Sequence, residues 1–334
     1  MGHPRLASLA SFDPTDLRLL EEFQRNFPLV PRPFDIIAYR LGVPEAEVLG
    51  RLTRLHADGR IARVGATVRP NTAGASTLAA LAVPEGRVAH VAAIVGAEAG
   101  VNHSYQREHD WNLWFVATAA NTADLQAMLD RIANRTGLPV LDLRLLRAFN
   151  IDLGFSLQGP RHAMGAGAAT DLSRLREADR PLLQILSQGL DLTPRPYLAA
   201  ATALGWSEPQ VMGRIRDLAD AGILTRIGVI VRHRPLGWSS NAMVTFDIPE
   251  DRIKIAGTAL VAQPGVTLCY QRRTVPGIWR WGLFAMIHAR SRSEASGILL
   301  RLTALPELAG ADTQVLFSQR CFKQTGAMLT RPEV

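Results

Sequence analysis

The chain repeats itself. Pro31-Arg-Pro-Phe34 returns as Pro194-Arg-Pro-Tyr197, and Gly50-Arg-Leu-Thr-Arg-Leu55 as Gly213-Arg-Ile-Arg-Asp-Leu218, both 163 residues later. Asp58-Gly-Arg-Ile-Ala-Arg-Val-Gly65 returns as Ala221-Gly-Ile-Leu-Thr-Arg-Ile-Gly228 at the same offset. Tyr105-Gln-Arg107 matches Tyr270-Gln-Arg272 at 165, and Arg147-Ala-Phe149 matches Arg320-Cys-Phe322 at 173. An offset that grows slowly along the chain is what loop insertions produce in a duplicated sequence. Each copy must therefore fold alike, and the two are expected to pair about a pseudo-twofold axis. Between them, Gln158-Gly-Pro-Arg-His-Ala-Met-Gly-Ala-Gly-Ala-Ala169 has no apolar period and reads as linker.

Within copy one, Leu17, Leu20 and Phe23 lie at helical spacing in a segment from Asp13 to Phe27. Phe34 to Leu41 predicts a second helix closed by Gly42, and Pro44-Glu45 opens a third that stops at Asp58-Gly59. Ile61 to Val68 alternates as a short strand pair or wing, completing a winged helix-turn-helix. The pattern then changes to strand, helix, strand, strand, helix, strand. The pieces are Ser76–Val83, Arg87–Val95, Val101–Arg107, Trp111–Thr118, Thr122–Thr136 and Val140–Phe149. That order is ferredoxin-like, an antiparallel sheet with both helices on one face. The free face needs a cover, and the other copy is the natural one. The fold class is α+β, a tandem duplication with winged helix-turn-helix modules at 12–70 and 178–233, ferredoxin-like domains at 73–155 and 238–326, and a linker at 156–177.

The strand Val101–Arg107 and the residues after it carry chemistry. Period-two alternation puts His103, Tyr105, Arg107 and His109 on one face. Four polar or titratable groups on one face do not build a core, so an anionic, partly aromatic partner is expected against them. The net charge of +7 comes from arginine almost alone, since Lys254 and Lys323 are the only lysines. Arginine suits planar carboxylate or phosphate partners. Cys269 and Cys321, the only cysteines, exclude a disulfide framework and are read as inert. No apolar run reaches membrane-spanning length, and Met1 to Ser11 lacks a signal-peptide pattern, so a cytoplasmic protein is expected.

A helix-turn-helix followed by a ferredoxin-like domain resembles the Lrp/AsnC regulators across nearly all of each half. His103-Ser-Tyr-Gln-Arg-Glu-His-Asp-Trp-Asn-Leu-Trp-Phe115 is similar to the strand-turn-strand of the siroheme decarboxylases. Cys269-Tyr-Gln-Arg-Arg-Thr274, Trp281-Gly-Leu-Phe-Ala-Met-Ile-His288 and Phe317-Ser-Gln-Arg-Cys-Phe-Lys-Gln-Thr-Gly326 resemble the companion subunit of that family, so the chain looks like a fusion of two subunits. The resemblance implies removal of the C12 and C18 acetate carboxyls of siroheme, in haem d1 or alternative haem biosynthesis. It implies siroheme as partner, with homologous decarboxylase subunits or further copies of the chain beside it, and no cofactor beyond the iron tetrapyrrole.

In that reading His103 and His109 are proton donors, or one is a donor and the other an iron ligand, and Tyr105 orients a carboxylate or relays the proton. Arg107, Tyr270, Arg272, Arg273, His288, Trp114, Arg147 and Lys323 are the expected substrate-binding residues, with Arg320 behind them. The copies differ: Leu268 stands where copy one has His103, and five extra residues separate Arg272 from Trp281. One site per chain is expected, built from both halves. The rival reading is a DNA-binding regulator that senses a small ligand or haem; a haem carrier is a third. Base-reading helices place donors near phosphate, whereas Glu45 and Glu47 open one candidate helix and Glu208 the other. Sequence-specific DNA binding is not expected.

Overall fold

The computed structural model describes residues 12–150 and 170–331. The linker expected at 156–177 falls outside the described residues up to 169. In chain order the first copy comprises α1 (Pro14–Glu22), α2 (Pro33–Leu41), α3 (Glu45–Ala57), β1 (Ile61–Val68), β2 (Ala75–Leu81), α4 (Val88–Ala97), β3 (Val101–Arg107), β4 (Leu113–Ala119), α5 (Thr122–Thr136) and β5 (Leu141–Asn150). The second comprises α6 (Arg180–Gln188), α7 (Pro196–Leu204), α8 (Glu208–Asp220), β6 (Leu224–Val231), β7 (Ser240–Asp247), α9 (Glu250–Val261), β8 (Val266–Arg272), β9 (Leu283–Ala289), α10 (Arg292–Thr303) and β10 (Asp312–Gln324).

The chain divides into two compact units, and the boundary runs within each copy rather than between copies. One unit holds both helix-turn-helix modules, up to Ala73 and up to Gly237; the other holds both ferredoxin-like domains, from Gly74 and from Trp238.

Local chemistry sets the helix ends of the first unit. The Asp13 carboxylate accepts the Thr15 N–H at 2.8 Å with Pro14 behind it, and Gly42 closes α2 at φ 71°. The helix expected to run to Phe27 stops at Glu22, where Phe23 leaves the helical region at φ −108°, and Asn26 beyond it takes a left-handed φ of 53°. The wing also differs from expectation. Each copy supplies one strand, and β1 pairs antiparallel with β6, Gly65 opposite Gly228. A lone strand leaves its backbone groups unpaired, so the two copies complete one ribbon between them. The ribbon needs glycine where helix ends press on it. A Cβ at Gly228 would stand 2.4 Å from the Gln24 carbonyl oxygen, and one at Gly65 would stand 2.5 Å from that of Leu186.

In the second unit the two sheets join edge to edge. β10 pairs with β3 and β5 with β8, closing an eight-stranded barrel in the order β10-β3-β4-β2-β5-β8-β9-β7. The length of β10 makes this work: Asp312 to Phe317 pair with β7, and Ser318 to Gln324 pair with β3. Closure removes the open edges that two separate sheets would expose. Helices α4 and α5 cover the first sheet over Val91, Val101, Phe115 and Ile132, and α9 and α10 cover the second over Val244, Cys269, Ala285 and Ile298. A third cluster fills the barrel, including Trp114, Leu143, Met243, Trp279, Phe284 and Leu316. The expected mutual cover of the two sheets thus takes the form of a shared barrel interior.

Candidate functional site

Ladder partners share a face, so register decides which side chains enter the barrel. His103 lies opposite Val116 and Tyr105 opposite the interior Trp114. Tyr270 lies opposite Phe284, and Leu268 opposite Met286. His288, two residues beyond Met286 on β9, faces Asn241 across the ladder. β3 and β9 run in opposite directions, so the start of β3 and the end of β9 share one rim. His103 and His288 therefore stand at the same end of the barrel.

Each of these histidines is held through Nδ1 by the residue at a β-bulge. The bulge between Val101 and His103 places Asn102, and its Oδ1 lies 2.7 Å from His103 Nδ1. The Asn102 Nδ2 donates to Thr118 Oγ1 at 3.2 Å, the orientation that keeps Oδ1 on the histidine. Oδ1 only accepts, so His103 Nδ1 carries a proton and Nε2 is the proton-exchanging nitrogen. The second copy repeats the device with the histidine moved. Its bulge between Val266 and Leu268 places Thr267, whose hydroxyl donates to the Met286 carbonyl at 3.1 Å and lies 2.7 Å from His288 Nδ1. His288 occupies the strand position that Thr118 holds in copy one. Thr267 Oγ1 thus sits between the Met286 carbonyl and His288 Nδ1.

His109 lies elsewhere. The strand ends at Arg107, so His109 sits in the turn at the opposite end of β3 from His103. Its Nδ1 accepts the Trp111 N–H at 3.0 Å. Its ring stands edge-on to Trp279 with centroids 5.5 Å apart. Burial pulls its pKa below the ordinary histidine value, with Asp110 opposing. This end is closed by aromatic packing: Trp279 meets Trp114 at 5.2 Å and Trp281 at 5.0 Å. The extra residues in copy two deliver that tryptophan, through a turn in which Val275 pairs with Trp279.

The arginines divide by the same logic. Arg107 donates to the Leu316 carbonyl at 3.2 Å and to Ser318 Oγ at 2.9 Å. Its counterpart Arg272 donates to the Leu143 carbonyl at 3.0 Å. Each thus ties β3 or β8 to the last strand of the other copy. Each guanidinium also lies over the tyrosine two residues before it, Arg107 over Tyr105 at 5.6 Å and Arg272 over Tyr270 at 5.0 Å. Burial draws Arg272 down to about 10, with Tyr270 and Asp142 opposing, and pushes the Tyr270 hydroxyl up to about 12. Arg273 is held by the Asp142 carbonyl at 2.9 Å and its carboxylate at 3.2 Å.

Four expected ligand contacts are committed to the fold. Trp114 is 1% exposed, inside the barrel core, and donates to the Trp111 carbonyl at 2.6 Å, which leaves no ring face for a ligand. Lys323 points to the helix side of the sheet, where its ammonium caps the end of α4 on Gly96 O at 2.8 Å and Glu98 O at 3.1 Å. Arg147 lies over the ring of Phe149, which packs with the helix-side core of the second copy, and Arg320 lies likewise over Phe322. The bulges in β5 and β10 turn these arginines away from the interior, which the plain alternation of the sequence does not indicate. Among the described residues no cluster of His, Cys, Asp or Glu is arranged to hold a metal ion.

Family models match both modules in both copies: an AsnC-like ligand binding domain over 73–150 and 235–323, and a siroheme decarboxylase NirDL-like HTH domain over 16–61 and 179–224. The siroheme decarboxylase NirDL subunit of Paracoccus pantotrophus is 61% identical over 96% of this chain and 98% of its own. The chain belongs to the siroheme decarboxylase family. Less than half of the chain resembles a separate subunit: the NirD subunit of Pseudomonas aeruginosa is 51% identical over 45% of this chain and 99% of its own. A crystal structure of the siroheme decarboxylase NirDL with an iron-uroporphyrin III analogue superposes with a TM-score of 0.65 at 26% identity, covering 94% of this chain and 92% of that one. The family membership favours the decarboxylase over the regulator.

Asn102, Thr118 and Thr267, the residues that orient the histidines of this family member, were absent from the sequence-based expectation. The available signal was a polar residue beside or opposite each histidine at the start of a strand. Only the bulges show that Asn102 and Thr267 reach Nδ1.

Proposed function

We propose that this protein is a carboxy-lyase that removes the C12 and C18 acetate carboxyls of siroheme, in haem d1 or alternative haem biosynthesis. His103 is the proton donor. Protonation at the ring carbon bearing the acetate draws the electrons of the C–CO2 bond into the macrocycle. CO2 leaves, and a tautomeric shift yields a methyl group. The proton gained replaces the CO2 lost, so the step balances without an added oxidant. The macrocycle is its own electron sink and no further cofactor enters.

The observation that carries this assignment is the opposite hydrogen-bond sense of the two histidines of copy one. Asn102 Oδ1 accepts a hydrogen bond from His103 Nδ1–H. The Trp111 N–H requires a lone pair on His109 Nδ1, and burial further disfavours its charged form. Of the two candidate acids, His103 is the one poised to donate, and the shared rim brings His288 in as the second histidine of the site. Tyr105 and Tyr270, on the same inner face, orient a carboxylate. Homologous subunits or a second copy of the chain are the protein partners of this reading.

The test is anaerobic incubation of the purified protein with siroheme, followed by mass. Loss of two CO2 is expected for the wild type. His103→Gln should lower kcat by about 10²–10⁴-fold while the barrel still folds. Full turnover by His103→Gln would remove the assignment.

A further inference from the structure

The residues after β10 do not leave the barrel; they cross the start of β3. The Thr325 N–H donates to the Asn102 carbonyl at 2.8 Å, and the Met328 N–H donates to Thr118 Oγ1 at 3.0 Å. Leu329 is buried, and Arg331 pairs with Asp124 at 2.9 Å. That exposed ion pair contributes little by itself. The two backbone donors and the buried leucine hold the segment against the barrel.

Both donors land on the network that orients His103. The Thr118 hydroxyl has one proton and two lone pairs. Its proton goes to the Gly100 carbonyl at 3.3 Å, and its lone pairs receive Asn102 Nδ2 at 3.2 Å and the Met328 N–H. With that proton committed, a flipped Asn102 amide would bring Oδ1 against Thr118 oxygen lone pairs and Nδ2 against the ring of His103. The amide therefore stays with Oδ1 on His103, and the ring stays in the Nδ1–H form.

We propose that residues 325–331 form a strap that fixes the tautomer and orientation of His103, with Asn102, Thr118 and the Met328 amide as its positioning groups. The strap acts on the histidine through Thr118 and Asn102. The inference rests on the reading of His103 as the proton donor, but the tautomer can be read without turnover. In copy two Thr267 holds His288 directly, from the position equivalent to Asn102, and the strand position of Thr118 is taken by the histidine itself.

The experiment uses the full-length, substrate-free protein labelled with ¹⁵N, with the His103 ring signals identified by their loss in His103→Gln. The wild type should show a single Nδ1–H tautomer. Thr118→Val, which keeps the shape and removes the hydroxyl, should give a mixture of tautomers, and Thr118→Ser should restore the single form. In turnover, Thr118→Val should lose about 10–100-fold in kcat with KM unchanged, the magnitude typical of a group that orients a functional histidine. Met328→Pro, which deletes the strap's donor, should reproduce the mixture if Thr118→Val fails to fold. A single Nδ1–H tautomer in the folded variants would overturn the strap, whatever their activity. A wild type that shows the expected tautomer yet leaves siroheme intact would instead overturn the decarboxylase reading.

Discussion

His109 stands edge-on to Trp279 with ring centroids 5.5 Å apart, at the barrel end opposite His103. Burial there lowers its pKa from the ordinary value of 6.5. The unfolded chain then binds a proton more readily than the folded one, so stability falls as pH drops through the unfolded value and levels off below the folded one. The thermal midpoint of the wild type should therefore decline between neutral and mildly acidic pH more steeply than that of His109→Phe. Equal slopes would show that the ring is not desolvated. His109→Phe should also keep most of the decarboxylase activity.

Trp279 joins Trp114, Trp281, Phe284 and His109 in one cluster and is 1% exposed. Trp279→Ala should destabilise the barrel by about 3–5 kcal/mol, measured as a lower denaturant midpoint at unchanged slope. A loss under about 1 kcal/mol would mean that the turn carrying Trp279 is not part of the core.

The ribbon formed by β1 and β6 has no room above Gly228. Gly228→Ala should cost about 1–3 kcal/mol, because the atoms in the way are backbone atoms of Phe23 and Gln24. Gly50→Ala, in the interior of α3 with open space around it, should instead gain up to about 1 kcal/mol. Equal effects from the two, read by chemical denaturation, would contradict the close approach at Gly228.

The helices that would read DNA begin with anchored carboxylates. Glu45 is paired with Arg32, Glu47 with Arg51 at 2.7 Å, and Glu208 with Arg195. Those groups stand where a phosphate would approach the helix start. The protein should show no sequence-specific retention of DNA at physiological salt in a gel-shift titration. Tight, sequence-dependent retention would return the regulator to consideration.

The duplication, the helix-turn-helix and ferredoxin-like patterns and the inward set His103, Tyr105 and Arg107 were legible in the sequence, because repeat spacing, helical period and strand alternation are local. α5 runs over Thr122–Thr136 and β3 over Val101–Arg107, as the periodicity predicts. Tertiary structure alone decided that β1 pairs with β6, that β5 and β10 cross to the other copy, and that bulges turn Arg147 and Arg320 outward. It alone separated His103 from His109 by the sense of one hydrogen bond each. Pairing between distant strands and the direction of a hydrogen bond depend on groups far apart in the chain, and no local period encodes them.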